Sequence, residues 1–165
     1  MRIQRLFILL VLLGLISGCY FGITGRVIDA ETNLPIEGAV VLVEWTKTKG
    51  IGLTYTESDK VAEVLSDKDG KFGLPGCYNP FANPPALAIY KKGYVTWSNR
   101  WIFPGWKKRT EFNWESGKIY KLDKFKDTFS YIDHYGFTTS AINSTIGGPN
   151  DKRLFFQIFS EAEEE

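Results

Sequence analysis

The stretch Ala39-Val40-Val41-Leu42-Val43 contains no polar residue, and it leads through Glu44 to Trp45. Valine-rich segments suit strands, and one without a polar side at its start suits the centre of a sheet covered on both faces. From Val43 onward, Val43 and Trp45 alternate with Glu44 and Thr46, which predicts one buried and one polar face over the second half. A chain with such a strand needs further strands to pair with it and layers to cover it.

Candidates are present on both sides. Residues 23–29 read as a strand with Ile23, Gly25 and Val27 on one face and Thr24, Arg26 and Ile28 on the other. A turn at Glu31-Thr32-Asn33 follows, and Pro35 bars a regular ladder there. Residues 61–65 fit a strand, with a short helix as the alternative. Asp67-Lys68-Asp69-Gly70 predicts a hairpin turn, because Asp-Gly supplies the positive-φ positions such a turn needs, and Lys71-Phe72-Gly73-Leu74 is then the returning strand. Residues 86–90 form an apolar strand closed by Lys91-Lys92-Gly93, and residues 94–98 resume it. Short strands at this spacing, divided by Gly, Pro and Asp turns, predict an all-β sandwich.

The order "ITGRVIDAETNLPIEGAVVLVEW", then "VLSDKDGKFGLPG", then "PPALAIYKKGYVTW" resembles the carboxypeptidase regulatory-like domain, a relative of the transthyretin-like sandwich. The resemblance covers roughly residues 21–98. It rests on a Gly-Arg-Val first strand, a Pro-Ile-x-Gly-Ala entry to the second, an Asp-Gly-Lys-Phe turn and a Lys-Gly-Tyr turn. It implies a seven-stranded Greek-key β-sandwich that serves in packing or binding, without catalytic residues. Gly38, Gly70 and Gly93 fall where turns or close approaches are needed.

Beyond residue 102 the alternation fades, apart from a possible strand at 118–122. Phe125, Phe129 and Ile132 recur at helical spacing, and residues 153–164 suit a helix after the Gly147-Gly148-Pro149-Asn150 break. The expected organisation is a signal peptide over 1–18, a lipid-anchored sandwich over 19–105, and a C-terminal extension over 106–165 that contains some helix and packs on the sandwich.

The first residues give the address. Arg2 and Arg5 precede an apolar run from Leu6 to Ile16 that ends in Ser17 and Gly18, the order of a secretory signal. The run is too short for a permanent span, which needs roughly 20 apolar residues. Leu15-Ile16-Ser17-Gly18-Cys19 resembles the bacterial lipobox, which implies cleavage before Cys19 and acylation of that cysteine with palmitate-type chains. Two or three such chains hold a protein stably on a membrane where one does not. The resemblance implies a cell-envelope location, and Tyr20 in the position after the cysteine favours the outer membrane, facing the periplasm or the cell surface. Cys77 is then the remaining thiol, so no intramolecular disulfide is expected. It reads as a small buried residue or as a reactive thiol.

Composition narrows the function. The formal net charge is +1 and the basic residues are dispersed, which argues against a nucleic-acid partner. The chain contains one histidine, His134, so neither a zinc peptidase site nor a Ser-His-Asp triad with its Gly-x-Ser-x-Gly elbow is indicated. His134, within Tyr131-Ile132-Asp133-His134-Tyr135, reads as a partly buried residue hydrogen-bonded locally. Asp67-x-Asp69-Gly70 resembles part of a calcium loop, but Leu65 in the preceding ligand position offers no oxygen. No cofactor and no metal are expected. A hydrolase without histidine would need a carboxylate pair, such as Glu111 and Glu115, though nothing in the sequence raises these above surface charge.

One stretch combines large aromatic faces with cations: Trp97, Arg100, Trp101, Phe103, Trp106, Lys107, Lys108, Arg109, Phe112 and Trp114, with a turn at Pro104-Gly105. Exposed tryptophans stack on sugar faces, and neighbouring cations pair with carboxylates or phosphates. The candidate ligand-binding residues are Trp97, Trp101, Trp106, Lys107, Lys108 and Arg109. These rings also suit filling the gap between sandwich and extension, or contact with a membrane surface. The functional expectation is a non-catalytic envelope lipoprotein with a binding or assembly role, its partner an envelope protein or a glycan polymer. The alternatives are an accessory subunit of an envelope hydrolase, the hydrolase itself, and a structural spacer.

Overall fold

A computed structural model of the chain describes residues 22–76 and 82–142. The signal segment, Cys19, Cys77 and the helix expected over 153–164 lie outside the described residues.

The valine-rich run becomes β2 (Val40–Lys49), and its residues from Val40 to Thr46 are all buried. It pairs antiparallel with β3 (Tyr55–Leu65) on one side and β5 (Ala86–Tyr90) on the other. The two-residue strand β6 (Trp97–Ser98) completes a four-stranded sheet in the order β3-β2-β5-β6. A second sheet places β1 (Ile23–Asp29) between antiparallel β4 (Lys71–Leu74) and parallel β9 (Lys118–Leu122). Strands β7 (Trp101–Ile102) and β8 (Lys107–Lys108) form a separate hairpin. The fold is an all-β sandwich with one small helix among the described residues.

Alternation along the strands builds the core. Val27, Phe72, Leu74, Tyr120 and Leu122 of the three-stranded sheet meet Val41, Val43, Trp45, Leu87 and Ile89 of the four-stranded sheet. On the far face of β2 and β5, Val40, Leu42, Ala88 and Tyr90 form a second cluster with Ala141. Full burial of a Val or Leu side chain contributes about 1.5–3 kcal/mol, so β2 gains from both layers. The expected alternation over its second half is real in direction but not in burial: Glu44 and Thr46 point away from the sandwich core and are buried as well.

Ala141 belongs to helix α1 (Tyr131–Ile142). Ser130 caps it, its Oγ accepting the Asp133 amide at 3.2 Å while its carbonyl accepts the His134 amide at 3.0 Å. His134, Phe137, Thr138 and Ala141 are buried at the i, i+3, i+4, i+7 spacing of one helical face. The helical spacing expected from Phe125, Phe129 and Ile132 is therefore corrected. The helix starts after the two phenylalanines, and Ile132 is exposed. No helix among the described residues is long and apolar enough to cross a membrane.

Two further differences have physical causes. Strand β3 begins at Tyr55, not near residue 61, because its polar first half is held to β2 by the cross-strand pairs Lys47–Asp59 and Lys49–Glu57. The Asp67–Gly70 turn is a corner between sheets, since β3 pairs with β2 while β4 pairs with β1. Asp67 Oδ1 accepts the amides of Asp69 and Lys71 at 2.9 and 2.8 Å, and the Gly70 carbonyl accepts the Val27 amide at 2.7 Å. The sandwich also continues past residue 105, because β9 supplies Tyr120 and Leu122 to the core.

Gly70 has φ of 73°, and a Cβ there would lie 2.3 Å from the Val27 carbonyl oxygen. Gly93 has φ of 84° but open space around the same position. Gly70→Ala is expected to cost about 2 kcal/mol or more, and Gly93→Ala about 1 kcal/mol. Denaturant melts of the two variants check this. Equal losses would mean that the corner does not press on Val27.

Candidate functional site

The stretch that follows β5 is held by one amide side chain. Asn99 Oδ1 accepts the Leu87 amide at 2.9 Å, its Nδ2 donates to the Pro85 carbonyl at 3.0 Å, and its own amide donates to the Leu87 carbonyl at 3.0 Å. These bonds prolong the β5–β6 ladder and fix Pro85 beside the start of β7. The Arg109 amide donates to the Arg100 carbonyl at 2.8 Å, which closes the base of the β7–β8 hairpin.

Between the hairpin base and the prolines lies an open groove of about 470 Å³. Trp101, Phe112 and Trp114 give it aromatic walls, Pro84 and Pro85 an apolar edge, and Asn99 and Asn113 amide groups. Arg100, Lys108 and Arg109 line it as cations. Trp101 is 37% and Trp114 38% exposed, so both present ring area to solvent. Burial pulls Arg100 below the usual guanidinium range, and buried Glu44 acts in the opposite direction.

Arg109 is the most constrained of the three cations. Its guanidinium lies 4.7 Å from the Trp97 ring centroid, its Nε donates to the Ser98 carbonyl at 2.8 Å, and its Nη1 pairs with Glu111 Oε1 at 2.6 Å. Behind it the rings run inward. Trp114 meets Phe112 at 4.9 Å, Phe112 meets Trp97 at 5.6 Å, and Trp97 meets Tyr120 at 5.0 Å. The groove wall is thus continuous with the sandwich core, which limits how far its rings can move.

The candidate residues from the sequence divide accordingly. Trp101, Lys108 and Arg109 come together in the groove. Trp97 is half-buried behind Arg109 and packs against the core. Trp106 and Lys107 lie away from the groove lining, and Trp106 packs on Phe137 of α1 at 5.2 Å. The cause is the pleat: Trp101 stands opposite Lys108 while Ile102 stands opposite Lys107, so the two lysines project to opposite faces. Asn99, Asn113 and the prolines were missed; Asn83-Pro84-Pro85 was a readable turn signal, whereas the bonds of Asn99 had none. Glu111 accepts the Thr110 amide and pairs with Arg109, and its own backbone amide most of all holds its carboxyl below the usual range. Glu115 pairs with Lys118.

The hairpin tip is tied to α1. Phe103 packs against Phe129, His134 and Phe137 at 5.4, 5.1 and 5.5 Å. His134 Nε2 accepts the Thr96 amide at 2.9 Å, and the Thr96 and Thr138 hydroxyls lie 2.6 Å apart. The expectation of a histidine hydrogen-bonded locally is corrected: His134 is a buried acceptor, but its donor, Thr96, is 38 residues away in sequence.

No protein-family model matches the sequence, and no curated protein matches it. Among solved structures the chain is similar to a mutant of the shaft pilin SpaA from Lactobacillus rhamnosus GG, at 16% identity, TM-score 0.38, covering 65% of this chain and 50% of the pilin. It is also similar to a Streptococcal ancillary pilin, at 19% identity, TM-score 0.36, covering 65% of this chain and 30% of that one. The chain thus matches half or less of the length of these pilins.

Burial holds His134 at about 4, below the ordinary imidazole value of 6.5. Below 6.5 the unfolded chain takes up a proton that the folded chain refuses, so stability is full above that pH and is lost as the pH falls from 6.5 toward 4. Asp29, held at about 2 by the Thr32 amide against the cost of burial, with Tyr94 and Glu31 also donating, loses its contribution only below 3.8. The melting temperature is expected to fall by several degrees between pH 7 and pH 4.5, and His134→Gln should flatten that slope. An identical slope in wild type and variant would place the titration elsewhere.

Proposed function

We propose that this chain is a non-catalytic cell-envelope lipoprotein, held to a membrane through acylated Cys19, whose sandwich binds a glycan-bearing envelope polymer in the groove of Trp101 and Trp114. The observation that carries the reading is the groove itself: two half-exposed indole faces beside three cations, backed by rings that reach the core. Flat indole faces suit the apolar faces of sugars, and Lys108 suits carboxylates or phosphates on such a polymer, with Arg109, paired to Glu111, fixing the wall beside it. The lipid anchor is supported by the Arg-led apolar segment and the Ser17-Gly18-Cys19 ending.

Membership of the carboxypeptidase regulatory-like group is part of the proposal. In its favour, Gly38, Gly70 and Gly93 all adopt left-handed φ, at 67°, 73° and 84°, at the turns where the resemblance needs them. We also propose that residues 106–165, apart from β9, act as an extension of the sandwich that carries much of its binding edge. The example pair Glu111 and Glu115 does not favour an envelope-hydrolase role, because each is paired with a cation and Glu111 is held below the usual carboxylate range.

Trp101→Ala and Trp114→Ala are expected to weaken retention on purified peptidoglycan about fivefold to tenfold each, with little change in melting temperature. Trp97→Ala should instead lower stability by about 3 kcal/mol, because it leaves a cavity against Tyr120. Sedimentation assays and thermal melts on the three variants check this. Unchanged retention in both groove variants would remove the groove as the site.

A further inference from the structure

We propose that the hairpin joining β2 and β3 is a second membrane contact, dipping its apolar tip into the lipid surface at which Cys19 is anchored. The inference rests on the lipoprotein reading of Cys19. Past Trp45 and its partner Lys60, the two strands continue for the pairs Thr46↔Ser58, Lys47↔Glu57, Thr48↔Thr56 and Lys49↔Tyr55. At about 3.3 Å per residue these carry the arm about 13 Å farther. Ala82 and Asn83 brace it as far as Thr48. The turn Gly50-Ile51-Gly52-Leu53 then leaves Ile51 and Leu53 almost wholly exposed, with Tyr55 exposed beside them.

Direction decides what meets this tip. The Val27 amide bonds to Gly70 and the Gly38 amide to Ser66, so the end of β1 lies by the start of β2. The opposite end of β1, where Ile23 pairs with Leu74, is therefore the end toward which β2 runs out to Lys49. Lys60 reaches the Gly76 carbonyl at 3.1 Å at that same end. Cys19 precedes Gly22 by three residues, a reach of at most about 10 Å. A bilayer holding the acyl chains of Cys19 thus lies within the span of the arm.

The chemistry of the tip suits that surface. Two branched aliphatic side chains form the cap, a tyrosine stands at the level where aromatic rings favour the headgroup region, and Lys47 and Lys49 sit just below. These lysines neutralise Asp59 and Glu57, whose carboxylates would otherwise oppose the approach of anionic lipid.

The test uses the full chain with Cys77→Ser, extracted and reconstituted into vesicles of phosphatidylethanolamine and phosphatidylglycerol. A nitroxide is placed on Leu53→Cys or, at the opposite end of the sandwich, on Lys68→Cys, and acylation of Cys19 is read separately with a fatty-acid analogue. We expect the Leu53 label to be relaxed more by oxygen than by an aqueous nickel reagent, and the Lys68 label the reverse. Acylated protein whose Leu53 label is as open to nickel as the Lys68 label overturns the inference and leaves the anchor standing. Absence of the acyl group from Cys19 overturns the anchor, and the inference with it.

Discussion

From Val40 to Thr46 strand β2 is dry on both faces, and the remainder of the structure supplies the two covers that this part requires. The three-stranded sheet covers Val41, Val43 and Trp45, while α1 lies over the cluster that contains Val40 and Leu42. The helix is a poor helix by sequence, with Gly136, Thr138 and Thr139 in its middle, so its position depends on docking more than on propensity. Docking is partly polar: in a buried layer the Thr96 amide donates to His134 and the Thr96 hydroxyl bonds the Thr138 hydroxyl. The hairpin of β7 and β8 then leans on the helix through Phe103 and Trp106. The groove wall therefore depends, through the helix, on the far face of β2.

Much of this was legible because burial and alternation agree in the central strands. The limits of β1, β5 and β9 follow from apolar spacing alone. The first half of β3 was not legible, since an edge segment such as Thr56-Glu57-Ser58-Asp59 is held by ion pairs across the ladder and carries no apolar period. The helix was misplaced for a related reason: His134 and Thr138 occupy half of its buried face, and a hydropathy pattern counts them as exposed. The Asp67–Gly70 turn was legible as a turn but not as a corner, because partner choice between β2 and β1 depends on contacts distant in sequence.

The groove divides the same way. Composition identified the aromatic and basic stretch; the pleat of a two-residue ladder then separated Lys107 from Lys108, while Trp106, at a left-handed φ in the turn that joins the two strands of that ladder, packs on the helix and not beside Trp101. The N-terminal end of β1, the arm of β2 and β3, and the prolines of the groove all lie at one end of the sandwich. Arm and groove occupy opposite edges of the four-stranded sheet, whose order runs from β3 to β6. Groove and arm are therefore two separate surfaces with different chemistry, one aromatic with cations and one aliphatic.

Hydrogen–deuterium exchange of the full-length protein, with and without soluble peptidoglycan fragments, addresses the central claim most directly. The account predicts slowed exchange of the amides at 99–101 and 108–114, with the loop at 50–54 and the corner at 67–70 unchanged. Slowed exchange confined to other segments, with 99–101 and 108–114 unaffected under saturating ligand, would contradict it.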